Sequence, residues 1–316
     1  MIDSPINLIY IASIGRSGTT LFETMLGAHS QVETTGELHL WPHELMQGGI
    51  RPCGSGLYVD ECPFWTEMRR RVAPLQQPRP QIHAFREAHD AGRTLRLNRL
   101  SDFADRPLPP STARKVDTYG RNNAEIFRTF QDLVEEHTGE RPEWVVDASK
   151  DPYRLLWLVR SGYFNLKVIH MVKHPCGFAY SVTDNWVHKD SILSDLKRLY
   201  YTARQSGAWV TRNTLLRIVR RHHMDDDDHM LLRYEDLATT PDDAFHAACD
   251  LIGIPYEERA VDNWRKGSRF TIAGNPMRYE DRDIELDDRW KSQLPSSSRW
   301  IARSISSVTR DHYNYD

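Results

Sequence analysis

The chain has 316 residues, 40% of them hydrophobic and 27% charged, with a formal net charge of −3. These values describe a folded globular protein rather than a disordered or collagen-like one. Four scattered cysteines exclude a disulfide framework, near-neutral charge offers no global attraction to nucleic acid or an anionic membrane, and no window approaches the roughly 18 apolar residues of a membrane span. A soluble, cytoplasmic protein is expected, built as an α/β domain carrying an insertion.

The first element is a β-branched apolar run, Ile6 to Ile14, which breaks into Gly15-Arg16-Ser17-Gly18-Thr19-Thr20. An amphipathic helix follows, with Leu21, Met25 and Leu26 at core spacing. Strand, glycine loop and helix N-terminus together make an anion cradle. Gly15 and Gly18 allow the tight turn, successive N–H groups converge, and the helix adds its positive dipole end. Thr19 and Thr20 add hydroxyl donors, and Arg16 adds a charge whose fork suits phosphate or sulfate. The ATP-type loop requires Lys after its second glycine. Thr19 stands there instead, so this is a phosphate loop of another kind.

Beyond the helix, Gly36-Glu37 falls about one strand further on, at the carboxyl edge where ligands of open α/β sheets bind. Glu37 is the candidate general base, with His39 in reserve. From Glu44 to about Thr118 the regular pattern fades into prolines and basic clusters such as Arg69-Arg70-Arg71. A structureless loop this long does not suit a compact domain, so a mainly helical insertion over the site is expected, with Trp41, Phe64, Trp65 and Phe85 either stacking on a ligand or forming a core of their own. Asn122 to His137 reads as a helix stopped by Gly139, and Trp144 to Val146 as a buried parallel strand. Ser149 and Lys150 fall at that strand's end, and Pro152 opens a helix.

Val168 to Val172 reads as another strand, followed by Lys173-His174-Pro175 and a helix carrying Ser181. A bend plus about one and a half helical turns can bring Lys173 and Ser181 to one phosphate. Asp190 to Arg221 is a long helical pattern in which Gly207 is a candidate break. His229 to Tyr234 is a short strand leading into Arg233-Tyr234-Glu235-Asp236-Leu237, and Thr240 caps a helix through Ile252. The late loop Gly267 to Arg278 carries Arg269, Asn275 and Arg278, both arginines suited to phosphate, and helices complete the chain.

Taken together, these motifs resemble the sulfotransferases that use 3′-phosphoadenosine 5′-phosphosulfate (PAPS), most closely the tyrosylprotein and carbohydrate branch and its soluble bacterial relatives. Arg16-Ser17-Gly18-Thr19-Thr20-Leu21 is similar to that branch's 5′-phosphosulfate loop, and His29 with Gly36-Glu37 follows in similar order. Ser149-Lys150-Asp151-Pro152 resembles a segment supplying a catalytic lysine, Lys173 through Ser181 the Arg-x7-Ser spacing of a 3′-phosphate site, and Arg233-Tyr234 a segment whose Tyr lies near the nucleotide. Gly274-Asn275-Pro276-Met277-Arg278 resembles the loop closing over the 3′-phosphate. Two positions depart from the pattern: Lys173 replaces an Arg, and Leu38 stands where the tyrosylprotein enzymes have a second acid.

The resemblance implies a P-loop-type three-layer α/β sandwich with a central parallel sheet, forming one sulfotransferase domain over residues 1–316. It implies in-line transfer of a sulfonyl group from PAPS to a hydroxyl, or secondarily an amine, leaving adenosine 3′,5′-bisphosphate and requiring no metal. The acceptor would be a carbohydrate, a small natural product or a tyrosyl peptide. Arg16, Glu37, Lys150 and His39 would be catalytic. Gly15, Arg16, Ser17, Gly18, Thr19, Thr20, Lys173, Ser181, Tyr234, Arg269, Asn275 and Arg278 would hold the nucleotide. Two alternatives share parts of the motif set: a P-loop kinase or NTPase, and a non-catalytic nucleotide- or glycan-binding module.

Overall fold

A computed structural model describes residues 4–41, 52–72, 101–183, 192–267, 269–275 and 283–315. The chain begins with β1 (Ile6–Ser13), α1 (Thr19–Gly27) and β2 (Val32–Thr34), then α2 (Pro63–Arg71), α3 (Pro110–Thr138), β3 (Trp144–Lys150) and α4 (Pro152–Ser161). β4 (Phe164–Val172), α5 (Pro175–Thr183), α6 (Ile192–His223), β5 (His229–Arg233), α7 (Tyr234–Thr239) and α8 (Pro241–Ile252) follow. The described helices end with α9 (Glu258–Asp262), α10 (Trp290–Gln293) and α11 (Ser296–Asp311). The strands form one five-stranded sheet in the order β2-β3-β1-β4-β5, and every pairing is parallel.

The alternation along β1 splits the core in two. Leu8, Tyr10 and Ala12 face one cluster with side chains of α3, α4 and α6, whereas Ile9 and Ile11 face a second cluster with α1 and α8. Both faces are covered, which is why the central strands read as unbroken apolar runs rather than alternating ones. The expected three-layer α/β architecture is therefore present.

Several boundaries differ from the sequence reading. The helix expected from Asn122 begins at Pro110, where proline at the first helical position costs no hydrogen bond. Gly207 does not break α6, which runs on from Ile192 to His223; one glycine costs a helix only about 1 kcal/mol. β3 runs on past Val146 to Lys150, so Ser149 and Lys150, expected at its end, are its last residues. Thr240 stands at the start of α8 without capping it; its hydroxyl instead donates to Asp236 O at 3.1 Å. Trp41, Phe64 and Trp65 are buried against one another and against Phe130 and Phe270, so they form a core and offer no face to an acceptor. Arg70 and Arg71 pair with Glu67 and Glu136 on the surface. All four cysteines are buried and none is in a disulfide; Cys53 and Cys62 share the Ser55 hydroxyl. Phe85 and Arg278 lie outside the described residues.

Candidate active site

The strand order decides which loops can meet. β1 lies between β3 and β4, so the loop leaving Ser13 has the ends of β3 and β2 on one side and those of β4 and β5 on the other. That is the crevice in which open parallel sheets bind ligands. Glu37 and Lys150 belong to the first side, Lys173 and Tyr234 to the second.

The loop itself is shaped for an anion. Gly18 precedes α1 with φ +79°, and no side chain caps the helix, so its first N–H groups lack intrahelical partners. A Cβ on Gly18 would lie 2.6 Å from the Tyr234 ring, so glycine is required by close approach as well as by backbone angle. Ser17 is fully buried, and its hydroxyl has no hydrogen-bond partner among the described residues. Thr19 and Thr20 are buried, whereas Arg16 is exposed. Arg16 holds φ +72°, a left-handed conformation that costs a non-glycine residue about 1 kcal/mol or more. An orphaned buried hydroxyl beside an uncapped helix start is the polarity a phosphate group would satisfy.

On the β3 side, Lys150 also sits in the left-handed region, at φ +64°. This turns its side chain to Glu37, and Nζ donates to Oε1 at 2.7 Å. Both are mostly buried, at 9% and 18% side-chain exposure. Glu37 leaves β2 through Gly36 (φ +72°), whose missing Cβ would otherwise lie 2.4 Å from Ile272 O. The Glu37 N–H donates to that same carbonyl, at 2.9 Å. The late loop therefore runs beside the Glu37 turn. Further along, the Asn275 N–H donates to Thr20 Oγ1 at 3.1 Å, joining that loop to the phosphate loop.

Behind the pair lies a buried network that the sequence reading missed. Arg154 Nε donates to Asp147 Oδ2 at 2.7 Å, and its Nη1 donates to Tyr119 and Asn123. Asp147 in turn accepts from the Ser149 hydroxyl, and Ser149 Oγ accepts from the His39 N–H at 3.2 Å. Ser149 therefore braces the turn and is not directed at a ligand. The seven-residue separation of Asp147 and Arg154 across a strand end and a proline carries no periodic signal, which is why it was not seen.

On the β4 side, Lys173 is 4% exposed and its Nζ lies 4.1 Å from the centroid of the Tyr234 ring. Burial pushes its ammonium below the usual lysine value, against the pull of Asp287 and Glu235, and Arg16 and Arg289 push the same way as burial. A buried ammonium that its surroundings disfavour is a place where an added anion would be welcome. Ser181 lies on α5 with its hydroxyl donating to Phe178 O. Arg269 goes elsewhere: its guanidinium meets Glu33 on β2 at 3.2 Å and is 57% exposed, so the expected phosphate ligand is already paired with a carboxylate. Among the described residues no group of three or more His, Cys, Asp or Glu side chains could hold a metal.

Solved structures similar to the chain share its fold. The sulfotransferase domain of a Synechococcus olefin synthase superposes with a TM-score of 0.54 at 22% identity, covering 96% of each chain. The chain carries the sulfotransferase fold. The sulfotransferase domain from the curacin biosynthetic pathway shares it with a TM-score of 0.51 at 20% identity, over 96% of this chain and 99% of that one. A Mycobacterium avium sulfotransferase shares it at 0.52 and 13% identity, over 100% and 78%. No protein-family model and no curated protein matches the chain. In the sulfotransferase fold seen here, Glu37–Lys150 and Lys173–Tyr234 flank the 15–20 loop from opposite sides.

Proposed function

We propose that the chain is a PAPS-dependent sulfotransferase acting on a hydroxyl-bearing acceptor, a carbohydrate or small metabolite. The observation that carries this reading is the Glu37–Lys150 ion pair at the same sheet edge as an uncapped phosphate loop, with a second buried cation, Lys173, across that loop. Two separated anion positions suit a nucleotide bearing both a 5′-phosphosulfate and a 3′-phosphate. Bound there, PAPS would supply the sulfonyl group and a phosphate leaving group.

The chain's own residues divide the remaining work. Glu37 takes the proton from the acceptor oxygen as that oxygen attacks sulfur. Lys150, the loop amides and Arg16 face the charge that grows on the departing phosphate oxygen, where fixed donors in a partly buried site act most strongly. Lys173 and Ser181 hold the 3′-phosphate side, with Tyr234 packed between Gly18 and the lysine. The stretch 44–118 belongs to the acceptor side of one domain, a reading supported by the Gly54 N–H donating to Thr271 O beside the Glu37 turn.

Thermal unfolding with adenosine 3′,5′-bisphosphate, compared with ATP plus magnesium, tests the reading. The bisphosphate alone should stabilise the protein, by about 2.7 kcal/mol at a hundredfold excess over its dissociation constant. Stabilisation by magnesium-ATP alone would sink the proposal in favour of a kinase, and bisphosphate binding without turnover of PAPS would reduce the chain to a binding module.

A further inference from the structure

The residues after α11 return to the nucleotide side of the site. Asn314 adopts φ +55°, and Tyr313 and Tyr315 are buried, at 1% and 7% exposure. The Tyr315 hydroxyl donates to Glu235 Oε2 at 2.7 Å, with Val172 O at 3.3 Å. The other oxygen of the same carboxylate, Glu235 Oε1, accepts the His174 N–H at 3.0 Å. Arg233 holds the Asn314 carbonyl at 3.2 Å and lies over the Tyr315 ring. One carboxylate thus ties together the end of β4, the start of α7 and the 313–315 segment.

Lys173 sits between these ties. Its carbonyl accepts from Trp209 Nε1 at 3.1 Å, the next N–H is held by Glu235, and its ammonium lies on Tyr234, the residue before Glu235. His174 is itself gripped between Trp290, stacked at 4.4 Å, and the edge of Tyr315 at 5.3 Å. We infer that Tyr315 is a positioning residue for the 3′-phosphate side of the nucleotide site, acting through Glu235 on the Lys173–His174 turn. This rests on the sulfotransferase reading above. Without the Tyr315 hydroxyl, Glu235 Oε2 loses its donor in a mostly buried place, and the carboxylate is released to turn toward the neighbouring ammonium. Burial, followed by the Glu235 charge, holds the phenol well above its ordinary value, so it stays a donor throughout the neutral range.

Tyr315→Phe removes only the hydroxyl. Titration with adenosine 3′,5′-bisphosphate should show about tenfold weaker binding, the size of one hydrogen bond to a charged group, while kcat at saturating PAPS is unchanged. In a Lys173→Ala background the same change should add no further loss, because the two act as one unit. Glu235→Gln, which keeps the size, should weaken binding in the same direction and serves if Tyr315→Phe melts early. Wild-type affinity in Tyr315→Phe, additivity with Lys173→Ala, or a loss confined to kcat would each overturn the positioning role and leave the sulfotransferase reading intact. A wild-type protein that binds no bisphosphate would overturn both.

Discussion

Glu37 and Lys150 are 113 residues apart in sequence and 2.7 Å apart in space. Each side chain is placed by a backbone feature next to it: Gly36 for the glutamate, a left-handed φ for the lysine. Glu37→Gln keeps the volume and a hydrogen-bond acceptor for Lys150 while removing the carboxylate proposed as the base. Turnover should fall by about 10²–10⁴, with bisphosphate affinity close to wild type; steady-state kinetics beside a binding titration would check it, and full activity would exclude Glu37 as the base. Their place at the sheet edge was legible in the sequence because a polar residue after a strand marks the carboxyl end of a parallel sheet. Arg269 shows what the sequence leaves open. Its type and loop suggested phosphate, but sequence does not say which anion lies closest, and Glu33 on β2 is 3.2 Å away. The Asp147–Arg154 unit was invisible because a buried ion pair has no periodicity to betray it.

At the scale of elements, the apolar stretches of β1, β3, β4 and β5 were legible, whereas the polar ends of β3 (Asp147 to Lys150) and β4 (Asn165, Lys167) and the short β2 carry no continuous apolar signal. The helices were read less well at their ends. α3 begins at Pro110, inside a proline cluster that looked like loop. α4 has the clearest start: Asp151 caps it, accepting from the Tyr153 and Arg154 N–H groups at 2.8 and 3.4 Å. The Asp151 carbonyl also accepts the Tyr10 hydroxyl at 2.8 Å, so the joint between β3 and α4 is fixed from β1 as well. Asp151→Ala should cost about 1 kcal/mol of stability, seen as a lower urea midpoint. Turnover should fall too, because Lys150 is the residue immediately before the cap.

For the whole molecule, the strand order was beyond the sequence reading, since local patterns identify strands but not their neighbours. The consequences of burial are likewise global. His170 and His229 lie 6.1 Å apart, with Tyr313 against His170 and with His312, Arg217 and Arg220 acting on them. Burial pushes their values down to about 4 and about 3. The unfolded chain binds protons there near pH 6.5 and the folded chain does not, so stability is present above that pH and is lost as pH falls toward 4. Glu33 opposes this: burial raises its carboxyl to about 7, so its own contribution is lost as pH rises from about 4.5 to 7. Two imidazoles against one carboxyl leave a net fall on acidification, at most about 1.4 kcal/mol per pH unit. Urea unfolding at pH 6.5 and 5 should show it, and His170→Asn should flatten the slope.

The late loop is fastened at several points: Ile272 to the Glu37 turn on both its N–H and its carbonyl, Thr271 to Gly54, and Asn275 to Thr20. The Glu37 turn and this loop are therefore joined along one hydrogen-bonded seam. An engineer who reshapes the 52–54 strip to admit a different acceptor would tug on the same seam that touches the phosphate loop. In the proposed sulfotransferase, changes in substrate choice made there should arrive coupled to changes in how quickly spent nucleotide leaves, and the two traits would have to be selected together.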